Sequence, residues 1–142
     1  MEGNKEAFIT EYAQSKKSAG GPPDGHPGIQ GHDFLHDVSI ETKGKGSIYV
    51  SLTLDEIQPG GALEEHYHSD PEVYHHIYYV ISGQIKGSVG DVKKTVLDNT
   101  LIYCHSNVKH SIANVGKDVA WVLEIAARTH INSFETRVMS KK

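Results

Sequence analysis

The feature that most restricts the fold is a succession of short period-two runs between Ile48 and Ala126, each closed by a turn signal. Ile48, Val50, Leu52 and Leu54 alternate with Tyr49, Ser51, Thr53 and Asp55, which predicts a strand with the apolar set on its buried face. Pro59-Gly60-Gly61 breaks it. Strands are expected over Leu63–His68 and His75–Ile81, on either side of a loop containing Ser69, Asp70 and Pro71. Gly83 turns the chain into a short strand and hairpin turn over Ile85–Asp91, and Lys93–Leu97, Leu101–Cys104 and His110–Asn114 continue the series. After Gly116-Lys117-Asp118, the residues Val119, Trp121, Leu123 and Ile125 occupy one face of a last strand, with Trp121 read as core. Many short strands with a turn signal roughly every ten residues, no central helix and no internal repeat predict an all-β sandwich or barrel.

The flanks read differently. Asn4–Lys17 is patterned as a short helix, with Asn4 as N-cap and Phe8 and Tyr12 on one face. From Gly20-Gly21-Pro22-Pro23 to Gly31 the chain is rich in glycine and proline, which predicts an irregular connection. His26, His32 and His36 lie in or just after it and are expected in solvent or in ordinary hydrogen bonds, since no second ligand stands at strand spacing beside them. The expected organisation is one domain: an arm and connection over residues 1–31, a barrel over 32–127 and a mixed polar tail over 128–142, which is either a strand or a short helix.

Composition excludes several function classes. With 142 residues, 37% hydrophobic and 23% charged, the chain suits a soluble globular protein. Its formal charge of −4 offers no basic field for nucleic acid or an anionic membrane. No apolar segment approaches a membrane span and the N-terminus lacks the pattern of an export signal, so a cytoplasmic location is expected. The single cysteine, Cys104, makes no internal disulfide and reads as a small buried apolar residue.

Chemistry concentrates in Pro59–Gly83, where four of the ten histidines fall within eleven residues. Residues i and i+2 of a strand share a face, so His66 and His68 present two imidazoles side by side. By the same parity His76, Tyr78 and Val80 share one face of the next strand, while His75, Ile77, Tyr79 and Ile81 share the other. His110 opens a later strand and is the distant candidate that a fold brings to a local pair.

These residues carry a resemblance to the two motifs of the cupin superfamily. The segment Gly60-x5-His66-Tyr67-His68 matches the start of the first motif, Tyr79–Gly83 resembles its closing strand and turn, and His110-x3-Asn114 matches the end of the second. The resemblance covers residues 47–126 and implies a cupin-type jelly-roll β-barrel with a short N-terminal helical arm. Seven residues before Gly83 the family's usual Glu is replaced by His76, and Asn99, His105 and Asn107 replace the second motif's usual Gly, Pro and Gly. The ligand set it implies is His66, His68, His76 and His110; a competing alignment takes Glu72 as the third ligand.

Four neutral imidazoles suit zinc, nickel, iron, cobalt or copper, and leave the charge of a divalent ion to attract an anion. The implied function is therefore metal-dependent chemistry on a small organic anion, by a Lewis-acid route (lyase, isomerase, decarboxylase or cyclase) or as an oxygenase. The alternative is a metal-dependent binding or sensing module without turnover. Tyr78 is expected inside beside His76, as a substrate-orienting hydroxyl, a weak acid or a half-buried core aromatic. Glu72 is expected at the mouth, as a general base or simply solvated, and His105 beside the ligands. Protonation is expected to release metal below about pH 6. Cupins of this size resemble homodimers, and the outward set Ile77, Tyr79 and Ile81 is consistent with burial under a partner or under the chain's own second sheet.

Overall fold

A computed structural model describes residues 9–18, 26–37, 46–47, 50–69, 74–128 and 135–138. Among these residues, apart from one 3-10 turn at Tyr12–Gln14, every regular element is a strand: β1 (Lys16–Ser18), β2 (Ile29–Asp37), β3 (Gly46–Ser47), β4 (Val50–Ile57), β5 (Ala62–Ser69), β6 (Tyr74–Ser82), β7 (Ile85–Val89), β8 (Val92–Val96), β9 (Thr100–His105), β10 (His110–Asn114), β11 (Ala120–Arg128) and β12 (Glu135–Val138). One sheet runs β1-β2-β4-β11-β6-β9, with β3 beside β2, and the other runs β12-β5-β10-β7-β8. Apart from the short β2–β3 pair the pairing is antiparallel, and the two sheets face each other as a jelly roll. No helix among the described residues is long and apolar enough to cross a membrane.

The expected N-terminal helix is not formed where the chain is described. After the 3-10 turn, Lys16–Ser18 pairs with β2, and Gln30 donates its side-chain amide to the Ser18 carbonyl at 2.8 Å. A helix of this length is marginal by itself, and pairing with a sheet edge satisfies the same backbone groups while burying surface. Residues 1–8, including the proposed cap Asn4, lie outside the described residues. The Gly/Pro connection ends earlier than its composition suggests, since β2 begins at Ile29. The tail contributes β12, which pairs with β5 through Thr136 opposite His68.

Parity in two strands is the reverse of the reading from apolar residues. On β4 it is Asp55 and Ile57 that are buried, and on β11 Ala120 and Val122, with Glu124 continuing the inner face. Leu52, Leu54, Trp121, Leu123 and Ile125 therefore point outwards, where Trp121 packs near Tyr12 and His32 rather than in the core. In this barrel the polar site is inside and the larger apolar residues of the long sheet are outside, so the usual rule of apolar residues inward selects the wrong face. Parity on β6 agrees with expectation, burying His76, Tyr78 and Val80, and Cys104 on β9 is buried as expected; Ile102 on β9 and Ile112 on β10 are buried with them.

The interior is divided along the barrel axis. At one end Ile57 opposes Ile29 and Ala120, and Ile112 opposes Leu63 across the second sheet. Asn114 closes this end, donating its side-chain amide to the carbonyls of Ile57 and Asp118 at 2.9 Å each and accepting from the Gly116 N–H at 2.9 Å. The histidines occupy the other end, where β10 places His110 opposite His66 and β6 places His76 beside Ala126 and Cys104.

Turns follow their residues. Gly83 has φ +121°, and a Cβ there would lie 2.6 Å from that of Ala120. Asn99 (φ 59°) and Asn107 (φ 66°) adopt the left-handed conformation that asparagine tolerates best after glycine. Both stand where the second motif usually has glycine, the residue that reaches this conformation most readily.

Candidate metal centre

Four side chains converge between the two sheets. β5 supplies His66 and His68, β6 supplies His76 and β10 supplies His110; all four are buried, and one nitrogen from each lies within 4.8 Å of the others. Ring centroids of His66 and His110 stand 4.3 Å apart, and those of His68 and His76 4.9 Å. His75, one residue from His76, points to the outer face and hydrogen-bonds the Tyr103 hydroxyl at 2.6 Å through Nδ1. Strand parity thus divides the adjacent pair as expected.

The far nitrogens are held in place. His66 Nδ1–H donates to the Glu64 carbonyl at 2.7 Å, and His110 Nδ1–H to the Val108 carbonyl at 2.9 Å, so both Nε2 atoms turn into the site. On His76, Nε2 meets Glu124 Oε2 at 3.3 Å, which leaves Nδ1 facing His68 Nε2 at 3.0 Å. Backbone carbonyls and a carboxylate behind the rings are the partners that fix tautomers at metal sites.

The electrostatics keep His66 and His110 ready to coordinate. Burial, then the neighbouring His76 and His66, pushes the His110 pKa down to about 3, and burial also lowers that of His66. A neutral imidazole is the ligand form. His110 Nε2 is buried and has no hydrogen-bond partner, which is costly unless something binds there. The four residues fit a divalent transition ion: donors of the right type and tautomer, mutually close, with a nitrogen that protein groups leave unsatisfied.

Other residues fall into place around this centre. Tyr78 is 0% exposed and stacks on His76 with ring centroids 4.5 Å apart. Cys104 is buried, its thiol pushed up to about 12 by burial, as a small core residue rather than a nucleophile. His105 departs from expectation: its side chain is exposed and its Nδ1–H donates to the Ser106 carbonyl at 3.1 Å. Glu72 lies outside the described residues. His26, expected in solvent or an ordinary hydrogen bond, is not in solvent: it is buried, with its ring centroid 6.2 Å from that of His66. His32 is buried too, 3.3 Å from the Tyr12 hydroxyl and 3.5 Å from Glu56; the side chain of His36 lies outside the described residues.

Glu124 and Asp55 are the interior residues that sequence reasoning missed. A signal was present: each is an acid set within a run of strand residues, Leu123-Glu124-Ile125 and Leu54-Asp55-Glu56-Ile57. Glu124 also supplies the negative charge that four imidazoles lack, from behind His76.

Comparison with known proteins agrees with this geometry. The family model described as "Cupin domain" matches residues 53–126, just over half of the chain. The chain belongs to the cupin family. Among solved cupin-like structures, KdgF from Halomonas sp. superposes with a TM-score of 0.67 at 14% identity, covering 88% of this chain and 96% of that one. The polyketide cyclase RemF from Streptomyces resistomycificus gives 0.70 at 14% identity, covering 96% and 88%. A predicted oxalate decarboxylase from Thermotoga maritima gives 0.64 at 15% identity, covering 84% and 98%. Comparison with curated proteins finds no sequence match. Identities this low establish a shared cupin fold only.

Proposed function

We propose that this cupin is a metal-dependent enzyme acting on a small organic anion by non-redox, Lewis-acid chemistry of the isomerase, lyase, decarboxylase or cyclase kind. The observation that carries the reading is the cluster of His66, His68, His76 and His110, buried and within 4.8 Å of one another, with Glu124, the carboxylate that meets the cluster among the described residues, behind a ring rather than among the donors. Zinc, nickel, iron, cobalt or copper would be held by these four rings, and when bound would polarise an oxygen of the substrate. A largely imidazole set leaves a high positive charge on such a centre, which favours an anionic ligand and disfavours the higher oxidation state. Fold neighbours named as a cyclase and a predicted decarboxylase support the same class.

The chain's own residues do the rest. Tyr78, stacked on His76 in the closed interior, is proposed to orient the substrate through its hydroxyl. Glu124 holds His76 at Nε2 and so fixes Nδ1 as the nitrogen that faces His68. Glu72, in the connection from β5 to β6, is proposed as a base at the mouth. A second copy of the chain is proposed to cover the outer face of the long sheet.

Metal analysis of protein purified without chelators tests the centre. About one ion per chain is expected in the wild type, with most of it lost in His66→Ala and His110→Ala; stoichiometric metal in both variants would sink the four-histidine site. Oxygen uptake on incubation with diketones or phenols would transfer the reading to an oxygenase. A small anion that raises the melting temperature yet is recovered unchanged would favour the binding module.

A further inference from the structure

Asp55 on β4 is 0% exposed, and neither of its carboxyl oxygens has a hydrogen-bond partner. Buried carboxyl groups are normally paired, so one that is not calls for a reason. Its own row across the long sheet offers none: Gly31 stands opposite on β2 and Val122 on β11. In the next row Thr53 opposes both Asp33 and Glu124, so Asp55 is a diagonal neighbour of two further acids. Both acids have contacts elsewhere. Asp33 accepts from the Ser18 and Thr53 hydroxyls at 3.1 and 2.8 Å, and Glu124 lies 3.3 Å from His76. Burial first, then Glu124 and Asp33, raises the Asp55 carboxyl well above its ordinary pKa of 3.8, which favours the neutral form.

A neutral carboxyl group is a hydrogen-bond donor. Asp55 faces the same interior as Tyr78 and Glu124, and Glu124, in the next row, reaches His76 of the candidate metal centre. We propose that Asp55 is a substrate contact, donating its O–H to the carbonyl oxygen of an oxo-carboxylate whose carboxylate end faces the four histidines and whose carbonyl lies a few bonds away. The inference rests on the metal-centred reading above and names the substrate class for it. It also gives a reason for a partnerless acid inside the fold. A bound carbonyl oxygen supplies the acceptor that Gly31 and Val122 do not.

The test is calorimetric titration of zinc-loaded wild type, Asp55→Ala and Asp55→Asn with 4-oxopentanoate and with pentanoate, which has the same chain but no carbonyl, with metal content measured in each sample. The wild type is expected to bind the oxo acid about tenfold more tightly, the value of one well-placed hydrogen bond. That ratio should fall close to one in Asp55→Ala and be largely kept in Asp55→Asn, whose amide still donates. Asp55→Asn also covers the case in which the alanine variant does not fold. An unchanged ratio in Asp55→Ala, a ratio lost equally in Asp55→Asn, or no discrimination or no binding by the metal-loaded wild type overturns the proposal. Wild type that takes up no metal overturns the metal-centred reading, and this inference with it.

Discussion

His110 is 1% exposed, and burial together with His76 and His66 keeps its ring neutral down to about pH 3. In the unfolded chain the same ring titrates near 6.5. As pH falls below 6.5 the unfolded state therefore takes up protons that the native state refuses, and stability is lost progressively towards pH 3. His66, also lowered, adds to the same slope. The urea midpoint of metal-free protein should fall across this window, and less steeply in His110→Ala; a flat midpoint would contradict neutral burial. Depressed pKa values also weaken proton competition at His66 and His110, so metal release from these two is expected well below the pH of about 6 that unperturbed imidazoles suggest. Retention at mildly acid pH consequently needs no carboxylate ligand. Glu124→Gln removes the charge behind His76 while keeping its shape, and metal affinity measured by chelator competition should drop by about 10- to 100-fold with the fold intact.

At the scale of elements, the β6 to β7 turn sets the register that brings His76 inside. Gly83 holds φ +121° against Ala120 at the start of β11, and its N–H donates to Asp98 Oδ1 at 2.8 Å. An added methyl group meets both a forbidden conformation and a Cβ at 2.6 Å. Gly83→Ala should cost roughly 1–3 kcal/mol in chemical denaturation. A neutral result would mean that the turn relaxes without disturbing β11. Asn99 shows the milder case, since asparagine already holds the left-handed turn and donates its backbone N–H to Val80 at 2.7 Å.

Over the whole molecule, the long sheet has two different faces. Its inner face carries the histidine cluster and the acids, and its outer face carries Ile81, Leu101 and Tyr103 at 43%, 57% and 41% exposure, beside half-buried Ile77, Tyr79, Leu123 and Ile125. The second sheet covers only the inner face. A contiguous apolar surface of this kind suits another copy of the chain. Sedimentation should give a dimer, and Leu101→Glu with Tyr103→Glu should shift it to monomer without loss of bound metal; a monomeric wild type at micromolar concentration would refute the pairing.

Fold class, strand succession and the clustered histidines were legible in the sequence because each is a local signal. Period-two patterning, turn glycines and the spacing of His66, His68 and His76 depend on neighbours a few residues away, and His110-x3-Asn114 repeats the same kind of local motif. Which face of β4 and β11 turns inward was not legible: both faces of those strands carry apolar residues, and only pairing with β2 and β6 decides between them. The same pairing turned the end of the expected N-terminal helix into β1, and it brought Glu124 to His76 and left Asp55 without a partner. Parity in the stretch Pro59–Gly83 paired His66 with His68 and separated His75 from His76, and the resemblance to the cupin motif chose His76 for the interior. Its acids were chosen by the tertiary structure, because a strand fixes what alternates along it and only its neighbours fix which side is closed from water.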